Sequence, residues 1–180
     1  MAFFYCDFRE DEKQNRRGLL TSLLLQLCEQ SDTYCSILSK LYSAHRDGLR
    51  PPNDEALLNC LEEMLQQREQ APIYIIVDGL DECPNTSGIP SSREQVLRLV
   101  ERLVKQHLPN FCICVASRSE PDIETILAPL AFHAVSLHAQ VGQRQDIIDY
   151  IRSVVNLMRR WRDKDKQLVI DELSSKADGM

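Results

Sequence analysis

Hydrophobic positions along the chain follow two patterns. Ala2–Phe8 reads as a strand from its first residues, and apolar runs without alternation occur at Ile73–Val77 and Phe111–Ala116. Runs of this length, bounded by Pro72 and Gly79 or by Pro109-Asn110, read as strands buried on both faces of a parallel sheet. Between them apolar residues recur at helical spacing. Leu19, Leu20, Leu23, Leu24, Leu27 and Cys28 mark a helix from Asn15. A second runs through Tyr34, Ile37, Leu38 and Leu41, and a third from about Asp54 to Gln70. A breaker-rich loop, Asp47-Gly48-Leu49-Arg50-Pro51-Pro52, separates those two.

Beyond the central strand, Ser92 and Gln95 form a capping box for a helix carrying Val96, Leu97, Val100, Leu103 and Val104. Pro121 suits the first turn of a short helix reaching Leu130, with Ser119 as its cap. Ala134–Leu137 reads as a short strand, and two further helices span Gln143–Arg159 and Asp163–Lys176. Strands separated by helices predict an α/β fold with three layers.

With 180 residues, one domain is the default count. A net charge of −6 gives no electrostatic reason for a nucleic-acid partner, and the basic run Arg159, Arg160, Arg162, Lys164, Lys166 reads as a solvated helix junction. No apolar run is long enough to cross a membrane, and no secretory signal is visible, so no membrane partner is expected. The seven cysteines are scattered without paired spacing, which predicts neither a disulfide framework nor a zinc site but a reduced, cytoplasmic chain. Cys112 and Cys114, two apart on a strand, are expected to be small buried hydrophobes.

Candidate chemistry gathers where the central run stops. Ile73-Tyr74-Ile75-Ile76-Val77 ends at Asp78, Gly79 permits a turn, and Asp81-Glu82 return two more carboxylates to the same place. Ligands collect beyond the carboxyl ends of parallel strands. An acid at a strand tip with a second acidic pair three residues later suits a phosphate-bound Mg²⁺. Asp78 could hold the metal while Glu82, next to Asp81, orients and deprotonates a water. The plain alternative is a strand followed by a solvated acidic turn. Arg118 follows the next strand in the same layer, where its guanidinium suits a γ-phosphate oxygen or pairs with Glu120 or Asp122. His45, His107, His133 and His138 have no obvious partner Cys, which leaves little support for a Cys/His hydrolase.

The string from Tyr74 to Pro84 resembles the Walker B segment of NACHT-class (STAND) P-loop NTPases. Ala116-Ser117-Arg118-Ser119 resembles the segment after their fourth strand, whose Arg senses the γ-phosphate; Ala116 and Ser119 depart from the family's Thr and Pro. Phe4-Tyr5-Cys6-Asp7-Phe8-Arg9, followed by Arg16-Arg17-Gly18-Leu19-Leu20, is similar to the second strand and helix of fungal NACHT proteins. The narrower likeness, which includes Lys176-Ala177-Asp178-Gly179-Met180, is to the nephrocystin 3-like N-terminal module.

The resemblance implies a P-loop NTPase-like parallel sheet over residues 1–140 and the start of a helical region over 141–180. It also implies Mg²⁺ with ATP or GTP as ligands, and protein partners or self-association. None of the six glycines is followed by Lys-Ser or Lys-Thr. The family's phosphate loop and first strand, which would lie between the strands at 111–116 and 134–137, are therefore expected to be missing, and the chain to be a fragment. Two functions follow: the hydrolytic half of a nucleotide-switched NTPase, with Asp81 and Glu82 catalytic, or a non-catalytic interaction scaffold derived from one.

Overall fold

The computed structural model describes residues 1–45, 47–67, 71–86, 88–136 and 141–176. It divides into two compact units, Met1–Ala131 and Phe132–Met180. The first holds strands β1 (Ala2–Tyr5), β2 (Ile73–Asp78) and β3 (Phe111–Val115), and helices α1 (Arg16–Cys28), α2 (Asp32–Ala44), α3 (Asp54–Leu65), α4 (Ser92–Lys105) and α5 (Pro121–Leu127). In the second, α6 (Val141–Asn156) packs against α7 (Asp163–Lys176), and Val155 and Ile170 are buried. No helix among the described residues is long and apolar enough to cross a membrane.

The sheet is parallel in the order β1-β2-β3, with Phe4 opposite Val77 and Val77 opposite Val115. The fold is thus α/β with a small parallel sheet, as the runs predict. The layer count differs. Ala2, Phe4, Ile73, Ile75 and Val77 are buried, together with part-buried Phe111, Ile113 and Val115, in one core with the helices. Their alternates Phe3, Tyr5, Tyr74, Cys112 and Cys114 are exposed, with Ile76 intermediate. Among the described residues the first unit therefore has two layers, a helix layer on one sheet face and nothing on the other. The expected two-sided burial, and with it burial of Cys112 and Cys114, is corrected. An unalternating run records what both faces can tolerate; only a second layer removes both from water.

Local chemistry sets the helix starts. Asn15 Oδ1 accepts from Gly18 N at 2.9 Å, and Asn53 Oδ1 from Ala56 N at 2.8 Å, each satisfying a first-turn donor. At α4 the cap is Ser91, not Ser92: its Oγ accepts from Glu94 N at 3.2 Å, and Gln95 Nε2 donates to the Pro90 carbonyl. Two adjacent serines made the register ambiguous by one residue. Ser119 does not cap α5, whose N-cap is Glu120; its hydroxyl donates instead to the Glu124 side chain.

The third helix stops at Leu65, and the expectation for 68–70 lies outside the described residues. The helix α6 ends at Asn156, three residues before the expected Arg159. Ala134–Ser136 form no strand and are exposed, since a short apolar segment without a ladder partner has nothing to hold its backbone donors; Leu137 and His138 lie outside the described residues.

Gly18 shows how tightly α1 is seated. A Cβ there would lie 1.6 Å from the Glu12 carbonyl oxygen, so the 9–14 connector crosses directly over the helix.

Candidate functional site

The carboxyl edge of the sheet is assembled by backbone bonds between strand ends. Cys6 N donates to the Asp78 carbonyl at 2.9 Å, Ala116 N to Val77 O at 2.8 Å, and Leu80 N to Ala116 O at 3.3 Å. The tips of all three strands are thereby held side by side. Gly79 makes the turn with φ +68°, and a Cβ there would come within 3.1 Å of the Cys6 carbonyl oxygen. Glycine is required for both reasons. A single 3₁₀ turn, Leu80–Glu82, follows, anchored by the fully buried Leu80.

Each acid has a distinct setting. Asp78 is half-buried at the end of β2, and no group among the described residues donates to its carboxylate. Asp81 Oδ1 accepts from Arg118 N at 3.0 Å and Ser117 Oγ at 3.4 Å, and its Oδ2 lies 3.4 Å from Arg118 Nε. Glu82 Oε2 accepts from Phe8 N at 3.2 Å, tying the turn to the chain leaving β1.

Arg118 is thus beside the acids, paired with Asp81 and with neither Glu120 nor Asp122. Its side chain stays 87% exposed, so the pair is a solvated one worth about 0–1 kcal/mol and easily exchanged. Asp78, Asp81, Glu82 and Arg118, chosen from the sequence, share one edge. Among the described residues no three His, Cys, Asp or Glu side chains are arranged to hold a bare metal ion. A Mg²⁺ carried on phosphates needs only one or two protein carboxylates, and the undonated Asp78 carboxylate meets that smaller demand.

Sequence reasoning missed three groups. Arg93, on α4, is buried beneath the acidic turn. Its Nε donates to the Cys83 carbonyl at 3.0 Å, Nη2 donates to the Asp81 carbonyl, and Nη1 lies 3.4 Å from Asp122 and 3.5 Å from Glu120. The signal was available. Arg93 stands three and four positions before Val96 and Leu97, a lone cation on the apolar stripe.

Asp7 is a fourth acid at the edge. The Arg9 guanidinium fork donates to it at 2.8 and 2.9 Å and the Arg9 backbone N–H at 2.9 Å, which holds its carboxyl at about 2. Finally, Cys6 and Cys83 meet with their sulfurs 3.4 Å apart. The hydrogen bond shared with Cys6, then the nearby Arg93 cation, hold the Cys83 thiol below its ordinary range against the opposing effect of burial.

His45 Nδ1 contacts the Leu41 carbonyl at the end of α2, His107 closes α4 with φ +50°, and His133 lies edge-on to Phe132.

The profile of the family described as "Nephrocystin 3, N-terminal" matches residues 1–118, which covers β1 through Arg118. No curated protein and no solved structure matches the chain.

Proposed function

Because the chain belongs to the nephrocystin 3 N-terminal family, we propose that its acidic sheet edge is the hydrolytic half of a NACHT-type nucleoside triphosphate site. The observation that carries this reading is the gathering of Asp78, Asp81, Glu82 and Arg118 at the tips of β2 and β3, bonded by Asp81 to Arg118. Asp78, whose carboxylate no described group occupies, is the residue that would hold Mg²⁺, directly or through water. Mg²⁺, when bound with ATP or GTP, neutralises charge on the phosphates. Glu82 keeps one oxygen on Phe8 N and presents the other to a water, whose proton it takes. Asp81 orients Arg118, and Arg118 leaves that solvated pair for a phosphate oxygen at small cost.

The 180 residues contain no Gly-Lys-Ser or Gly-Lys-Thr. Backbone N–H groups of such a loop, with its Lys, supply most of the phosphate affinity. The open face of the sheet and, among the described residues, the unpaired edge of β3 fit a sheet with further strands and a second helix layer. The isolated chain is therefore expected to hydrolyse ATP or GTP no faster than background. A chimera carrying a family phosphate-loop segment ahead of Ala2 is expected to bind a fluorescent nucleotide with Mg²⁺ dependence. In it, Glu82→Gln retains binding and loses turnover, whereas Asp78→Asn loses the Mg²⁺ dependence. Turnover by the bare chain that disappears in Glu82→Gln would overturn the reading.

One observation favours the second reading, a non-catalytic scaffold. Phe3, Tyr5 and Tyr74 are 45%, 56% and 51% exposed on the uncovered face, an apolar surface that protein partners bury. A chimera that fails to bind nucleotide under any Mg²⁺ concentration would select it.

A further inference from the structure

We propose that Cys6 and Cys83 are a dithiol oxidation site, converted by a hydroperoxide into a disulfide that fastens the acidic turn to the end of β1. The two residues are 77 positions apart in sequence and converge because the β1–β2 ladder sets Tyr5 opposite Asp78 and the Gly79 turn brings the chain back over Cys6. Their sulfurs are 3.4 Å apart. A bond of about 2.05 Å needs a closure of about 1.4 Å, within reach of side-chain rotation and small movements of a single 3₁₀ turn. Cys83 is fully buried and Cys6 is 6% exposed, so a water-sized peroxide is the kind of oxidant that fits, and bulky disulfides are disfavoured.

The chemistry balances without another reagent. One thiolate attacks the peroxide, an S–O bond forms as the O–O bond breaks, and the departing oxide takes a proton to leave as water or alcohol. The second sulfur then attacks the sulfenic sulfur. The S–S bond forms, the S–O bond breaks, and hydroxide leaves with the second thiol proton as water. Two thiols are oxidised by two electrons and one peroxide is reduced.

Other thiols compete less well for a disulfide. Cys112 and Cys114 lie on one face of β3 with parallel side chains, so their Cβ atoms are about 6.6 Å apart, beyond the about 3.5–4.5 Å that a disulfide spans. Cys28 and Cys35, which interact between α1 and α2, are the competing pair. The bond itself does not depend on the nucleotide reading. Its consequence does: pinning the turn beside the Phe8–Glu82 bond would restrain the carboxylate proposed to take the water proton.

The test uses the full chain with Cys35→Ser, Cys112→Ser and Cys114→Ser, which removes the exposed thiols. The reduced protein is treated with a small excess of hydrogen peroxide, alkylated, and mapped by non-reducing peptide mass spectrometry. The expected product is about 2 Da lighter, carries a Cys6–Cys83 linked peptide, and reverts with dithiothreitol. Its urea midpoint rises by roughly 1 M, because the crosslink closes a long loop of the unfolded chain. Adding Cys83→Ser removes both changes. Recovery of Cys6 and Cys83 as alkylated thiols, as separate sulfinic acids, or linked to Cys28 or Cys60 overturns the proposal. The map of the Cys83-containing protein decides this even where the Cys83→Ser variant does not fold. A Cys6–Cys83 bond in a chain whose phosphate-loop chimera binds no nucleotide leaves the oxidation site standing and removes only the hydrolytic consequence.

Discussion

Replacing Arg93 with Met keeps most of the side-chain volume on α4 and removes the guanidinium from beneath the acidic turn. Two opposing effects set the result. The Asp81 and Cys83 carbonyls lose charge-assisted bonds, and each is left unpaired at a cost of about 1–3 kcal/mol. Against this, a cation no longer has to be dehydrated, which returns part of that loss. The ion pairs with Asp122 and Glu120 count for little, because those side chains are 34% and 43% exposed and remain solvated without Arg93. The balance is a destabilisation of about 3 kcal/mol, a large share of a typical total of roughly 5–15 kcal/mol.

With a urea slope of about 2 kcal/mol/M, the midpoint should fall by about 1.5 M. The transition is followed by circular dichroism, with Arg98→Met as the control. Arg98 pairs with Glu94 on the solvent side of the same helix at 62% and 40% exposure, so its loss should cost under about 0.5 kcal/mol. Arg93→Lys should fall between the two, since an ammonium cannot reach three separate acceptors with a fork. Equal midpoints for Arg93→Met and Arg98→Met would refute the claim that Arg93 holds the turn.

Val77→Asp removes a fully buried residue on the covered face, losing about 1.5–3 kcal/mol of apolar burial and adding an unpaired carboxylate worth several more, so the first unit should lose its cooperative thermal transition; a soluble mutant melting near wild type would contradict this. Gly18→Ala gains up to about 1 kcal/mol of helix propensity but drives a Cβ to 1.6 Å from the Glu12 carbonyl, and a net Tm fall of about 3–10 °C is expected by calorimetry, whereas a rise would show that the 9–14 connector is not seated on α1. Asp7 is depressed to about 2 in the folded protein, so its contribution is present above the ordinary carboxyl range and is lost as pH falls from about 4 through 2; Arg9→Gln should return the carbon-13 titration midpoint of this carboxyl toward 3.8, and an unmoved midpoint would reject Arg9 as the cause.

The strands and most helices were legible because their signals are local. Five leucines at helical spacing, Leu19, Leu20, Leu23, Leu24 and Leu27, leave α1 little choice. The acids and Arg118 were legible because a parallel strand must end somewhere, and residues at its end share an edge. What the sequence hid was pairwise and distant. Nothing local to Arg118 selects Asp81 over Glu120 or Asp122. That choice follows from the Ala116–Leu80 backbone bond, which brings Asp81 to the Arg118 amide, while Arg93 takes the other two acids. The Cys6–Cys83 approach depends on the β1–β2 register, which no spacing within either segment specifies.

The two-layer sheet exposes a conflict between composition and surroundings that bears on function. Along β2, Ile73, Ile75 and Val77 satisfy the helix layer, while Tyr74 and Ile76 face outward beside Phe3, Tyr5, Cys112 and Cys114. A half-solvated strand in an antiparallel sheet would place polar residues at those alternates. Here not one of the six is charged, so the face is written for contact with apolar groups and not for water. Asp78 has the same parity as Tyr74 and Ile76 and sits at the end of that face. Whatever covers it therefore adjoins the carboxylate proposed to hold Mg²⁺. On the nucleotide-site reading, a cover on that face would adjoin Asp78, so a charged substitution at Tyr74 or Phe3 should also weaken Mg²⁺-dependent nucleotide binding in the phosphate-loop chimera.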